Sequence, residues 1–175
     1  MKTQCHNPYL PLWEHIPDGE PHVFEDRLYI FGSHDLENGN EFCEQDYVSW
    51  SAPLDDLSDW RYEGVIYRKD QDPYNVNVLP LYAPDVVQGR DGRYYLYYCI
   101  KFQDSINVAV CDTPAGQYEF YGRVQYKDGQ AMMENQTYDP SVICTEEGNF
   151  LYFGFAPCMI CLLYTSPSPR DAHES

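Results

Sequence analysis

The chain has 175 residues, enough for one domain with a real hydrophobic core. It is 43% hydrophobic and 16% aromatic, with 17 Tyr, and its formal net charge is −17 with no Lys/Arg cluster; that excludes nucleic-acid recognition and disfavours an anionic membrane surface. No apolar run reaches the roughly 18 residues of a spanning helix, and the first residues, MKTQCHNPYLPLWEH, hold no apolar signal core, so a cytoplasmic location is expected.

In chain order the sequence predicts short strands at 27–33 (RLYIFGS), 47–52 (YVSWSA), 60–67 (WRYEGVIY), 93–100 (RYYLYYCI), 106–112 (INVAVCD), 118–126 (YEFYGRVQY) and 149–156 (NFLYFGFA). Several are almost continuously apolar, as in strands covered on both faces. Gly, Asp, Pro and Asn between them suit hairpins, and no amphipathic helical pattern of twelve residues occurs. Residues 68–81 read as a long connecting loop. The acidic stretch DDLSDW (55–60) reads as a solvated turn rather than a calcium loop. No His/Cys cluster has metal spacing, and no cofactor or metal is predicted. Seven scattered Cys fit reduced thiols better than a disulfide framework.

The pattern repeats. An aromatic strand, a strand of the Y-V-S or V-A-V type, a turn and W/Y-x-x-x-G-x-V/I occur twice, and a third copy begins at GNFLYFGFA. Anchored on Tyr29, Tyr95 and Tyr152, the periods are 66 and 57 residues. Such periods, each holding three or four antiparallel strands, indicate the blades of a β-propeller. The aromatic strand of each repeat is expected to line the channel. Asp18, Asp85 and Asp139 lie 11, 10 and 13 residues before those tyrosines, which puts one carboxylate from each blade at a common axis.

Residues 161–175 (CLLYTSPSPRDAHES) depart from this pattern. One back-translation of CLLYTSPSPRD matches the transposase-end adapter of DNA library preparation codon by codon. The expected organisation is therefore a native segment, 1–160, followed by a non-native tail, 161–175. Six Cys remain without the tail.

Converging carboxylates suit general acid/base chemistry on a glycosidic bond, one protonating the leaving oxygen and another activating water. Inversion needs that pair roughly 6.5–9.5 Å apart, and a third acid can raise the proton donor's pKa. The stretches PDGEPHVFEDRLYIFGS, LYAPDVVQGRDGRYYLYY and YDPSVICTEEGNFLYFGF resemble the blade-opening motifs of glycoside hydrolase family 43, over about residues 6–160.

The resemblance implies an all-β, five-bladed propeller, present here as an incomplete fan of about two and a half blades. It implies an inverting hydrolase of β-xylosides or α-L-arabinofuranosides in plant cell-wall oligosaccharide or polysaccharide. By the same match Asp18 is the general base, with Glu20 as the competing base, because Gly19 replaces the usual Pro and Glu20-Pro21 follows. Asp139 is the residue that tunes the acid's pKa. Asp85 falls in the A-P-D motif, with Tyr82 in place of the usual Trp, and both are expected near substrate, as are His34 and Trp50. No residue matches the family's general acid: Glu134 is misplaced and Glu146-Glu147 read as a turn. The fragment is therefore expected to be inactive. The alternative is a non-catalytic carbohydrate-binding propeller.

Overall fold

The computed structural model describes residues 7–126, 128–133, 137–155, 157–163 and 172–174. Apart from one 3₁₀ turn at Lys69–Gln71, their regular structure is all β. The first sheet is β1 (Glu20–Phe24), β2 (Arg27–Phe31), β3 (Tyr47–Pro53) and β4 (Arg61–Tyr67). The second is β5 (Leu81–Gln88), β6 (Tyr94–Ile100), β7 (Ile106–Cys111) and β8 (Glu119–Arg123). The third is β9 (Ser141–Thr145), β10 (Gly148–Phe153), β11 (Met159–Leu163) and β12 (Ala172–Glu174). Each is an antiparallel meander in chain order, the form of a propeller blade.

The blades meet through their opening strands: β5 touches both β1 and β9. The axis is therefore lined by β1, β5 and β9, not by the aromatic strands, which are second in each sheet. This corrects the reading from sequence. The opening strands hide because they carry Pro21 and Pro84 and follow Asp/Gly/Pro turns. Each is the edge of its sheet, where a proline removes no ladder bond that the sheet needs.

The second strands supply the cores. From β6, Tyr94, Leu96, Tyr98 and Ile100 face the first sheet and meet Tyr29, Phe31, Tyr47 and Tyr67. The alternate residues Tyr95 and Tyr97 face the third sheet and meet Val142, Leu151, Phe153 and Leu163. YYLYYCI is continuously apolar because both of its faces are covered. Each such side chain contributes roughly 1.5–3 kcal/mol on burial.

Two local features explain recurring sequence. The Gly of the W/Y-x-x-x-G motif stands at a bulge in the fourth strand, beside the shifts at Ser49/Trp50 and Val108/Ala109. Gly64 has φ 103° there, a conformation that side chains resist. The loop 68–81 is pinned by buried Asp72. Its Oδ2 accepts from Tyr98 Oη at 2.5 Å and Asn107 Nδ2 at 2.7 Å, and its Oδ1 accepts from the Tyr74 N–H at 2.7 Å.

Of the segment set apart in sequence, Cys161–Leu163 lies in β11 and residues 172–174 form β12; Cys161 and Leu163 are buried against the third sheet's neighbour. Glu134, residues 164–171 and residue 175 lie outside the described residues.

Candidate active site

The chain reaches β1 by an arm, residues 7–19, that crosses the end of β2. Gly32 permits this. A Cβ at Gly32 would stand 2.4 Å from Ile16 Cγ2 and 2.8 Å from the Pro17 carbonyl oxygen. The arm then turns at Asp18 and enters the sheet.

Three turns share one backbone shape. Asp18 has φ 54°, Ala83 has φ 35° and Asp139 has φ 52°. Aligned on that shape, Asp18-Gly19-Glu20 corresponds to Ala83-Pro84-Asp85 and to Asp139-Pro140-Ser141. The sequence register had matched Asp85 with Asp18 and Asp139. The structure puts Ala83 there, 12 residues before Tyr95, and aligns Asp85 with Glu20 and Ser141.

These turns enclose a hollow of about 190 Å³ lined by Asp18, Glu20, Ala83, Pro84, Asp139, Pro140 and Ser141. Asp18 and Asp139, from the first and third sheets, therefore face the same space, with Glu20 on the same side as Asp18. Asp18 is oriented from beneath: buried Ser33 donates to its Oδ2 at 3.1 Å and accepts from the Ala83 N–H at 2.8 Å. Partial burial, and then the Asp18 carboxylate opposite, raise the Asp139 pKa above its ordinary value.

A second hollow, of about 360 Å³, adjoins the first through Asp139. Tyr82, Lys101, Phe102, Tyr138 and Phe155 line it, and the Phe102 and Phe155 rings are 79% and 80% exposed. Tyr82 thus shares this second hollow with Asp139.

The remaining predicted residues lie elsewhere. Asp85 is buried at 1% exposure and bonded within the protein on both oxygens. His34 and Trp50 are buried beneath the arm. His34 Nδ1 donates to the Asp46 carbonyl at 2.7 Å, and its Nε2 meets Glu14 Oε1 at 2.8 Å. Trp50 Nε1 donates to Glu14 Oε2 at 2.7 Å. They anchor the arm that presents Asp18 and do not line the hollow. Sequence reasoning missed Ser33, Glu14, Phe102 and Phe155. Only the rings carried a signal: both follow aromatic strands at blade ends.

Chemically, the first hollow offers carboxylates that can hold or take a proton, and the second offers rings on which sugar C–H faces stack. Among the described residues no group of three His, Cys, Asp or Glu stands ready to hold a metal ion.

The sheets and the shared turns define a partial β-propeller with an acidic hollow at its axis. The model of the glycosyl hydrolases family 43 matches residues 20–157, and the chain belongs to that family. A xylosidase/arabinosidase of Thermoclostridium stercorarium is 58% identical over 162 residues, covering 90% of this chain and 34% of that protein. Xylosidase/arabinosidase 43A of Humicola insolens is 32% identical over 158 residues, covering 82% of this chain and 45% of that protein. The GH43_1 enzyme from Xanthomonas citri, solved with xylose, superposes with a TM-score of 0.66 at 28% identity, over 85% of this chain and 42% of that one. The chain thus spans between about a third and a half of the length of the curated relatives it matches.

Proposed function

We propose that the protein of which this chain is part hydrolyses β-xylosides or α-L-arabinofuranosides by inversion. The observation that carries this reading is the hollow of about 190 Å³ into which Asp18 and Asp139 both open from turns of one shape. Asp18 serves as the base on water. Its register with Asp139 and its bond from Ser33 favour it over Glu20. Asp139 tunes the general acid, a Glu supplied by the part of the protein that the longer relatives have and this chain does not span. The aromatic hollow beside Asp139 receives the neighbouring sugar of an oligosaccharide or polysaccharide. The names of the relatives, xylosidase/arabinosidase in both, favour pentosides.

The test is the complete gene product with aryl β-xyloside and aryl α-L-arabinofuranoside, the first-formed anomer being read by NMR. Turnover to the inverted sugar is expected, with Asp18→Asn reducing kcat by about 10²–10⁴-fold. The 175-residue chain alone is expected to show no turnover. Sugar binding without hydrolysis by the complete protein would identify a carbohydrate-binding propeller instead.

A further inference from the structure

Asp85 is on β5, the opening strand of the middle blade, and its two oxygens serve different neighbours. Oδ1 is 2.6 Å from His22 Nε2 on β1, and Oδ2 accepts the Val142 N–H on β9 at 2.6 Å. One carboxylate thereby ties three sheets together at the axis. The tie points stand close to the acids along the chain. His22 is four residues after Asp18, Val142 three after Asp139, and Asp85 two after Ala83.

We propose that Asp85 is a positioning residue that sets the spacing of Asp18 and Asp139 by clasping β1 and β9 to β5, with His22 as one arm of the clasp. The inference rests on reading Asp18 and Asp139 as the working pair. A carboxylate suits the task because both of its oxygens accept, and charge-assisted bonds are short and directional. An amide could accept on one side only. The aromatic cores hold the sheets together through side-chain packing, which is not directional. Two short bonds on one buried side chain add a directional link between the three opening strands at the axis.

The readout is the titration of Asp139, which senses Asp18 across the hollow. Asp18 and Glu20 face it from the first sheet, Tyr82, Cys99 and Lys101 from the second, and Tyr138 adjoins it. In the full 175-residue chain, the Asp139 carboxyl carbon is followed by NMR through a pH titration. His22→Ala releases the β1 arm. As Asp18 retreats, the Asp139 midpoint falls toward the ordinary value of about 3.9. His22→Gln, whose amide N–H can reach Asp85, restores it. A simple charge effect has the opposite sign, because an Asp85 carboxylate stripped of its partner would push Asp139 up. A midpoint unmoved or raised in His22→Ala therefore overturns the proposal. If His22→Ala does not fold, His22→Phe is read by the same criterion, since it keeps a ring on Phe24 but has no N–H; the native rings stack at 5.7 Å between centroids. No turnover is measured, so the clasp and the proposed hydrolysis fail or stand separately.

Discussion

Asp18 and Asp139 are 121 residues apart in sequence, yet they occupy the same position in their blades and the same left-handed backbone region, φ 54° and 52°. A non-glycine residue there costs roughly 1–2 kcal/mol, and Asp bears it better than most. The turn that carries this strain aims each side chain toward the axis rather than into the sheet. The two carboxylates therefore share one hollow, and the charge on one is felt by the other.

That coupling makes Asp139 a stability cost at neutral pH. Its folded pKa is raised by burial and by Asp18, so between its ordinary and raised values the native state binds more proton than the unfolded state does. Stability attributable to Asp139 is thus present at low pH and is lost as pH rises through the folded pKa. Asp139→Asn is expected to melt above the wild type at pH 7, and the difference should shrink as the pH is lowered. Melting temperatures measured from pH 7 down to pH 4 test this; a difference that grows on acidification would contradict it.

Gly32 should tolerate no side chain. Its Cβ would meet the Pro17 carbonyl oxygen at 2.8 Å, and backbone cannot rotate away as a side-chain tip can. Gly32→Ala is expected to destabilise the chain by about 1–3 kcal/mol, read from the urea midpoint. The displaced arm should also loosen Trp13 from Trp50, now 6.0 Å apart between ring centroids, and change tryptophan emission.

The blade repeat was legible because an aromatic strand recurs in each sheet; in the middle one, β6, both faces are buried, so Tyr95 and Tyr97 are as apolar in context as Tyr94 and Tyr98. Asp18 and Asp139 were legible because their turns precede those strands at nearly constant distance. Asp85 was misregistered by two residues. Spacing alone cannot distinguish the residue at the turn, Ala83, from the buried acid that follows it, and an alanine gives no chemical signal. His34 and Trp50 resemble ligand residues by type. Their partner Glu14 is 20 and 36 residues away, and such a pairing is visible only in three dimensions.

The aromatic hollow should act on binding more than on chemistry. Phe102 and Phe155 line it beside Asp139 but carry no group that moves a proton. In the complete gene product, Phe102→Ala is expected to lower kcat/KM for an oligosaccharide by about tenfold, roughly the worth of one ring contact. The loss should appear in KM, with kcat for a short aryl glycoside nearly unchanged. Steady-state kinetics on both substrates check the split.

The long loop 68–81 should prove as important to the blade junction as the ring cores. Asp72, at 3% exposure, satisfies Tyr98 Oη, Asn107 Nδ2 and the Tyr74 N–H, and Tyr67 Oη adds a 2.8 Å bond to Tyr98 Oη. Asp72→Ala strands several buried donors at once, each worth about 1–3 kcal/mol when unpaired, so a loss of roughly 3 kcal/mol or more is expected. Tyr98→Phe leaves Asp72 paired with Asn107 and Tyr74 but takes the bond from buried Tyr67 Oη, and about 1–3 kcal/mol should be lost. The two changes act on one network. In the double variant the Tyr98 hydroxyl that Asp72→Ala would orphan is already gone, and the total loss should be smaller than the sum of the single losses. Urea denaturation of the four proteins of this cycle measures the coupling. Strict additivity would show that Tyr98 and Asp72 stabilise the junction independently, against the bond geometry.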